Sequence, residues 1–170
     1  MTLSVAVAQR TMSNASADLK NDERFMRRCI ELAAMAGERG DSPVGCVLVS
    51  GGEVVASGIE ASRAKRDVTC HAEIEAIREA SAARGSQDLS DCTLYTTHEP
   101  CVMCAYVIRY ARIPRVIFGV ASGALGGAGG RYALLLDASI AGWGDPPVVV
   151  RGVLGEECVA APIRSRRGPP

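Results

Sequence analysis

Neither sign of charge dominates this 170-residue sequence, in which 19 Lys and Arg balance 19 Asp and Glu. A chain built mainly to hold nucleic acid is usually basic, because phosphate contacts dominate such affinity. The balance argues against RNA as the main partner and leaves room only for a local basic patch. No apolar run is long enough to span a bilayer. Leu3 to Ala8 is too brief, and lacks the basic leader, for the core of a secretory signal. Histidine is scarce, with two residues, tryptophan occurs once, and no internal repeat is present. The seven cysteines are an odd number. Five of them, Cys29, Cys46, Cys70, Cys92 and Cys158, have apolar or helical neighbours and read as buried thiols. A disulfide framework does not fit them, and a reducing, cytoplasmic compartment is expected.

The length suits one domain with a single core. A Ser-, Ala- and Thr-rich flexible tail is expected over 1–19, the domain over 20–161 and a second flexible tail over 162–170. Asp22 to Gly40 has apolar residues at helical spacing. Val44 to Ser50 and Glu53 to Ile59 are β-rich, and Gly51-Gly52 between them signals a hairpin. Ala61 to Thr69 is a polar, basic loop. His71 to Arg84 returns to helical spacing, Cys92 to Thr97 is a strand, and Pro100 opens a helix ending near Arg112. Val116 to Val120 is a strand, Ala121 to Gly130 a glycine-rich mobile loop and Tyr132 to Ala138 a helical stretch. Pro147 to Leu154 is the last strand and Glu156 to Ala161 a closing helix. Alternating strands and helices predict an α/β fold, with a mixed sheet between helical layers.

The chemistry concentrates in His71-Ala72-Glu73 and, downstream, Pro100-Cys101-Val102-Met103-Cys104. One imidazole and two thiolates hold a zinc ion with a fourth position open, whereas structural zinc is usually closed by four protein ligands. Cys101 and Cys104 share a helix face. His71 and Glu73 open another helix, so the metal would lie between two helix N-termini, whose partial positive charge favours thiolates. Glu73 suits proton transfer better than ligation. Rival readings are an ordinary helix face with two core cysteines, and a closed zinc site completed by His98. A redox cysteine pair leaves His71 and Glu73 unexplained.

These motifs, together with Ser42-Pro43-Val44-Gly45-Cys46-Val47-Leu48-Val49, Leu94-Tyr95-Thr96-Thr97 and Ile113-Pro114-Arg115-Val116-Ile117-Phe118-Gly119, resemble the zinc-dependent cytidine deaminase-like superfamily. Within it, the chain is similar to the branch of tRNA adenosine deaminases, guanine deaminases and fungal-type cytosine deaminases. The resemblance covers about Phe25 to about Val159. It implies a three-layer α/β/α sandwich with a five-stranded mixed sheet, one Zn2+ per subunit on His71, Cys101 and Cys104, and Glu73 as the catalytic proton shuttle. It also implies a homodimer.

The implied activity is hydrolytic deamination of an amino-substituted nucleobase or nucleoside, a free base such as cytosine or guanine, with release of ammonia. The alternatives are tRNA adenosine-to-inosine deamination and a non-catalytic zinc-binding protein of this fold. The resembled enzymes carry an asparagine eleven residues before the zinc histidine, where this sequence has Glu60. Glu60 would accept hydrogen bonds from ring N–H or amino groups, and the departure puts ordinary tRNA adenosine or cytosine specificity in doubt. Val44, Gly45, Ala72, Thr97, His98 and Trp143 complete the expected substrate-binding set, Gly45 because glycine permits a close approach. Asp67 is read as ordering its loop and Glu99 as bonding backbone near the metal helix. Two basic clusters, Arg63, Lys65 and Arg66, and Arg164, Arg166 and Arg167, read as solvated surface.

Overall fold

The structure, a computed structural model, describes residues 2–140 and 142–160, with side chains from residue 18 onward. Its strands are β1 (Gly45–Ser50), β2 (Glu53–Ile59), β3 (Thr93–His98), β4 (Arg115–Val120) and β5 (Val148–Arg151). Its helices are α1 (Thr2–Glu38), α2 (Ser62–Lys65), α3 (Ala72–Arg84), α4 (Val102–Tyr110) and α5 (Gly155–Val159). The five strands form one sheet in the order β2-β1-β3-β4-β5. β1 pairs antiparallel with β2 and β3, and β4 pairs parallel with β3 and β5.

The alternation of side chains along each strand divides the core in two. Cys46, Leu48, Leu94, Val116 and Phe118 point to the layer of α3 and α4, while Val47, Val49, Tyr95 and Ile117 point to α1 and α5. Strands buried on both faces read as continuous apolar runs, which is how β1 and β4 stand out in the sequence. Truncating a fully buried side chain such as Leu48 to alanine would cost roughly 2–5 kcal/mol. Gly51 and Gly52, with φ of 59° and 83°, make the two-residue β1–β2 turn that needs left-handed backbone at both positions. On the α1 side, Asp22 accepts hydrogen bonds from Tyr95 Oη at 2.8 Å and Arg115 Nη2 at 2.7 Å, which ties the helix to the centre of the sheet.

Four segments differ from the sequence-based expectation. The stretch read as an N-terminal tail lies within the span of α1, and no glycine or proline precedes Gly37 to interrupt helical backbone. The loop from Ala61 to Thr69 contains the single turn of α2. The helical stretch expected from Tyr132 to Ala138 shrinks to a 3-10 turn at Leu134–Leu136. The buried guanidinium of Arg109 takes the carbonyls of Leu134, Leu135 and Asp137, which an α-helix would use for itself. The glycine-rich segment is held by Glu99, whose carboxylate accepts the N–H groups of Ser122, Ala128 and Gly129 at 2.9, 2.9 and 2.6 Å. The expected C-terminal tail and the cluster of Arg164, Arg166 and Arg167 lie outside the described residues.

Candidate metal centre and active site

His71 and Cys101 each occupy the N-cap of a helix, His71 before α3 with φ −70° and ψ 153°, and Cys101 before α4 with φ −70° and ψ 174°. Extended backbone at a cap lets the side chain lean over the helix end. Cys104 follows on the first turn of α4, on the same face as Cys101. The two helices lie side by side under the sheet, so their N-termini converge. Pro100 sits ahead of α4, one residue outside the cap, so the helix begins slightly later than its proline suggests.

His71 Nδ1 lies 3.6 Å from Cys101 Sγ and 3.5 Å from Cys104 Sγ, and the two sulfurs are 3.6 Å apart. Zinc bonds of about 2.3 Å to sulfur and about 2.0–2.1 Å to nitrogen give tetrahedral edges of about 3.8 Å between sulfurs and about 3.5 Å between sulfur and nitrogen. The three donors therefore form one triangular face of a zinc tetrahedron. Among the described residues no fourth His, Cys, Asp or Glu joins this group. His98 is not part of the group, and its Nδ1 lies 3.2 Å from Thr97 Oγ1.

The protonation of the donors also suits a cation. Cys101 is pushed down to about 4, first by its contact with Cys104 and then by His71. His71 is raised to about 9, chiefly by Cys101. Cys104 is raised by Cys101 and by burial. Deprotonated, the three groups would offer a divalent ion two thiolates and a neutral imidazole, and binding would release their protons.

Glu73 stands beside the triad, with Oε2 at 3.6 Å from Cys104 Sγ. Burial raises its carboxyl to about 7, with the nearby Cys101 charge adding to the effect. A pKa near the operating pH suits a group that must take up and release a proton. Val44, Glu60, His71, Glu73 and His98 line a cavity of about 280 Å³ together with Ser122 and Leu125. Burial lowers His98, favouring a neutral ring at this wall.

The other expected substrate contacts fall elsewhere. A Cβ on Gly45 would collide with Cys29 O and Ala33 N, so its missing side chain admits α1. The Gly45 N–H instead donates to Thr97 Oγ1 at 3.3 Å. Thr97 is fully buried and braces β1 and His98 behind the cavity wall. Ala72 is fully buried in the core under β2. Trp143 lies on the outer side of α4, edge-on to Tyr106 with ring centroids 4.9 Å apart and 5.6 Å from the Arg109 guanidinium. Arg109 binds Gly144 O at 3.2 Å and so draws this segment away from the metal centre.

Asp67 orders its loop as read, accepting Thr69 N–H and Oγ1–H at 2.8 and 2.7 Å. In the basic loop, Lys65 pairs with Glu75 and Arg63 donates to Gly40 O. Sequence reasoning missed Ser42, Ser62, Ser122 and Leu125 on the cavity wall. Ser42 stands in the motif that opens β1 but was not singled out there, and no local motif marks the other three. Glu99 bonds backbone near the metal helix as read, on the glycine-rich segment that pairs with Cys101 and Pro100.

The family profile described as "Cytidine and deoxycytidylate deaminase zinc-binding region" matches residues 19–120. A tRNA-specific adenosine deaminase of Streptococcus pyogenes serotype M18 is 37% identical over 140 residues, covering 82% of this chain and 86% of that protein. A tRNA(Ile)-lysidine synthase of Deinococcus radiodurans is 44% identical over 133 residues, 78% of this chain, which spans only 22% of that longer protein. A solved structure from work on A-to-I editing by tRNA:A34 deaminases at the wobble position is 37% identical. It superposes with a TM-score of 0.73 over 80% of this chain and 96% of its own. Among the described residues no helix is long and apolar enough to cross a membrane.

Proposed function

As a member of the cytidine and deoxycytidylate deaminase zinc-binding family, the chain is a zinc-dependent hydrolytic deaminase, and we propose that it acts on an adenosine carried in a tRNA. One observation carries the reading. The His71, Cys101, Cys104 and Glu73 constellation lies in a chain that is 37% identical, along 82% of its length, to a protein named for that activity.

His71, Cys101 and Cys104 would hold the zinc, one per subunit, at the wall of the cavity. A zinc ion bound there supplies Lewis acidity, which lowers the pKa of water from about 15.7 to near 7. Glu73 accepts a proton from the attacking water and delivers protons to the ring nitrogen and the departing amine. The carbon–nitrogen bond breaks, ammonia leaves and a carbonyl remains, so one water is consumed per ammonia released. The half-buried neutral His98 ring and Val44 give the base a flat, partly apolar wall. A homodimer in a reducing cytoplasm belongs to the same proposal, and the seven free cysteines support the compartment.

Glu60 favours a second reading, a free nucleobase or nucleoside such as cytosine or guanine. Its carboxylate faces the cavity where the resembled enzymes have an asparagine, and the formal neutrality of the chain gives RNA little to grip. The test is ammonia release from a panel of a tRNA anticodon stem-loop, adenosine, cytosine and guanine. Turnover confined to the stem-loop, with salt-sensitive binding, supports the tRNA proposal. Turnover confined to the free compounds supports the second reading.

A further inference from the structure

The cavity holds a carboxylate that the deamination chemistry does not use. Glu60 is 5% exposed and lines the same wall as His71 and Glu73. Its backbone is fixed on both sides, the N–H donating to Val44 O at 3.0 Å and the carbonyl accepting Arg39 Nη2 at 2.8 Å. Its Oε1 accepts the Ser62 N–H at 3.2 Å. Among the described residues Oε2 receives no hydrogen bond and no cation pairs with the group.

We infer that Glu60 sets substrate specificity by accepting a hydrogen bond from the substrate, so that the site selects compounds presenting an N–H or O–H to it. This rests on the deaminase reading and names what the substrate must carry. A carboxylate accepts and never donates. A ring nitrogen lone pair set against it meets an acceptor with an acceptor. A substrate that displaces water from Oε2 without replacing its hydrogen bond leaves a buried charge unmatched, which is the condition under which sites reject close analogues most strongly. Two sources supply the donor: the ring N–H of a free base, or a ribose hydroxyl of a nucleoside or RNA. The Ser62 N–H on Oε1 holds the carboxylate at the cavity wall.

The test measures binding to zinc-loaded Glu73→Gln protein, which removes turnover from the readout. The probes are matched pairs differing at one donor. Cytosine is set against 1-methylcytosine and guanine against 9-methylguanine for the ring source. A tRNA anticodon stem-loop with adenosine is set against the same stem-loop with 2′-deoxyadenosine for the ribose source. At least one pair is expected to differ about tenfold or more in Kd. Adding Glu60→Leu should bring that pair to near equality, while Glu60→Gln, which keeps an acceptor, should retain part of the difference. Zinc content and melting temperature report whether each variant folds. A steric effect of the methyl group would survive Glu60→Leu. The inference is overturned if no donor-bearing probe binds, if no pair is discriminated, or if the difference persists in Glu60→Leu. If binding is discriminated but wild-type protein releases ammonia from none of the probes, the substrate assignments fail and the role of Glu60 stands.

Discussion

Cys104 Sγ lies 3.5 Å from His71 Nδ1, although 33 residues separate them in the chain. The contact exists because α3 and α4 begin at the same edge of the sheet, each with an extended residue at its cap. It makes the group a candidate zinc site, since a nitrogen and two sulfurs at these spacings match three vertices of a zinc tetrahedron.

Glu73→Gln should keep the metal and lose turnover. The amide is the same size, so zinc stoichiometry should stay at one per chain. The rate of ammonia release should drop by about 100- to 10,000-fold, the range for loss of a positioned acid–base group. Activity within a few-fold of wild type would remove the proton-shuttle role.

Glu99→Ala should loosen the loop from Ser122 to Gly130 without stripping the metal. Three backbone N–H groups lose their acceptor. The expected cost is about 2–4 kcal/mol of stability, shared among partly solvated donors. Hydrogen exchange should quicken at the Ala128 and Gly129 amides while zinc content holds. Unchanged protection there would show that other contacts hold the loop.

Metal removal should expose one thiol before the others. Cys101 is half-buried, whereas the remaining six cysteines are buried. Burial pushes Cys92 and Cys158 up to about 11 and raises Cys29 and Cys46 as well, so these stay protonated and slow to react. After chelation, alkylation mapped by mass spectrometry should begin at Cys101, and added zinc should suppress it. Early labelling of Cys92 or Cys158 would contradict the burial pattern.

What the sequence made legible was mostly local. His71 with Glu73 and Cys101 with Cys104 each sit within one helical turn, so each pair is visible as a motif, and the family resemblance joins the two pairs into one site. β1 and β4 were visible as apolar runs, and Gly51-Gly52 as a hairpin. Apart from the metal triad, which the resemblance supplied, relations across long stretches of chain left no trace. Glu99 reaches Ala128 N–H across 29 residues, and Arg109 reaches Gly144 O across 35. These two contacts decide where the glycine-rich loop and Trp143 go, and no periodicity reports them. Gly45 was read as a close approach to substrate, and the close neighbour in the structure is α1, because a glycine signals that something is near without saying what.

The most direct test is zinc X-ray absorption on purified, active protein, together with metal content per chain. One zinc per chain is predicted, with two sulfurs at about 2.3 Å and two lighter ligands, one nitrogen and one oxygen, at about 2.0–2.1 Å. A second imidazole or a third sulfur in the shell, or full activity in metal-free protein, would contradict the account.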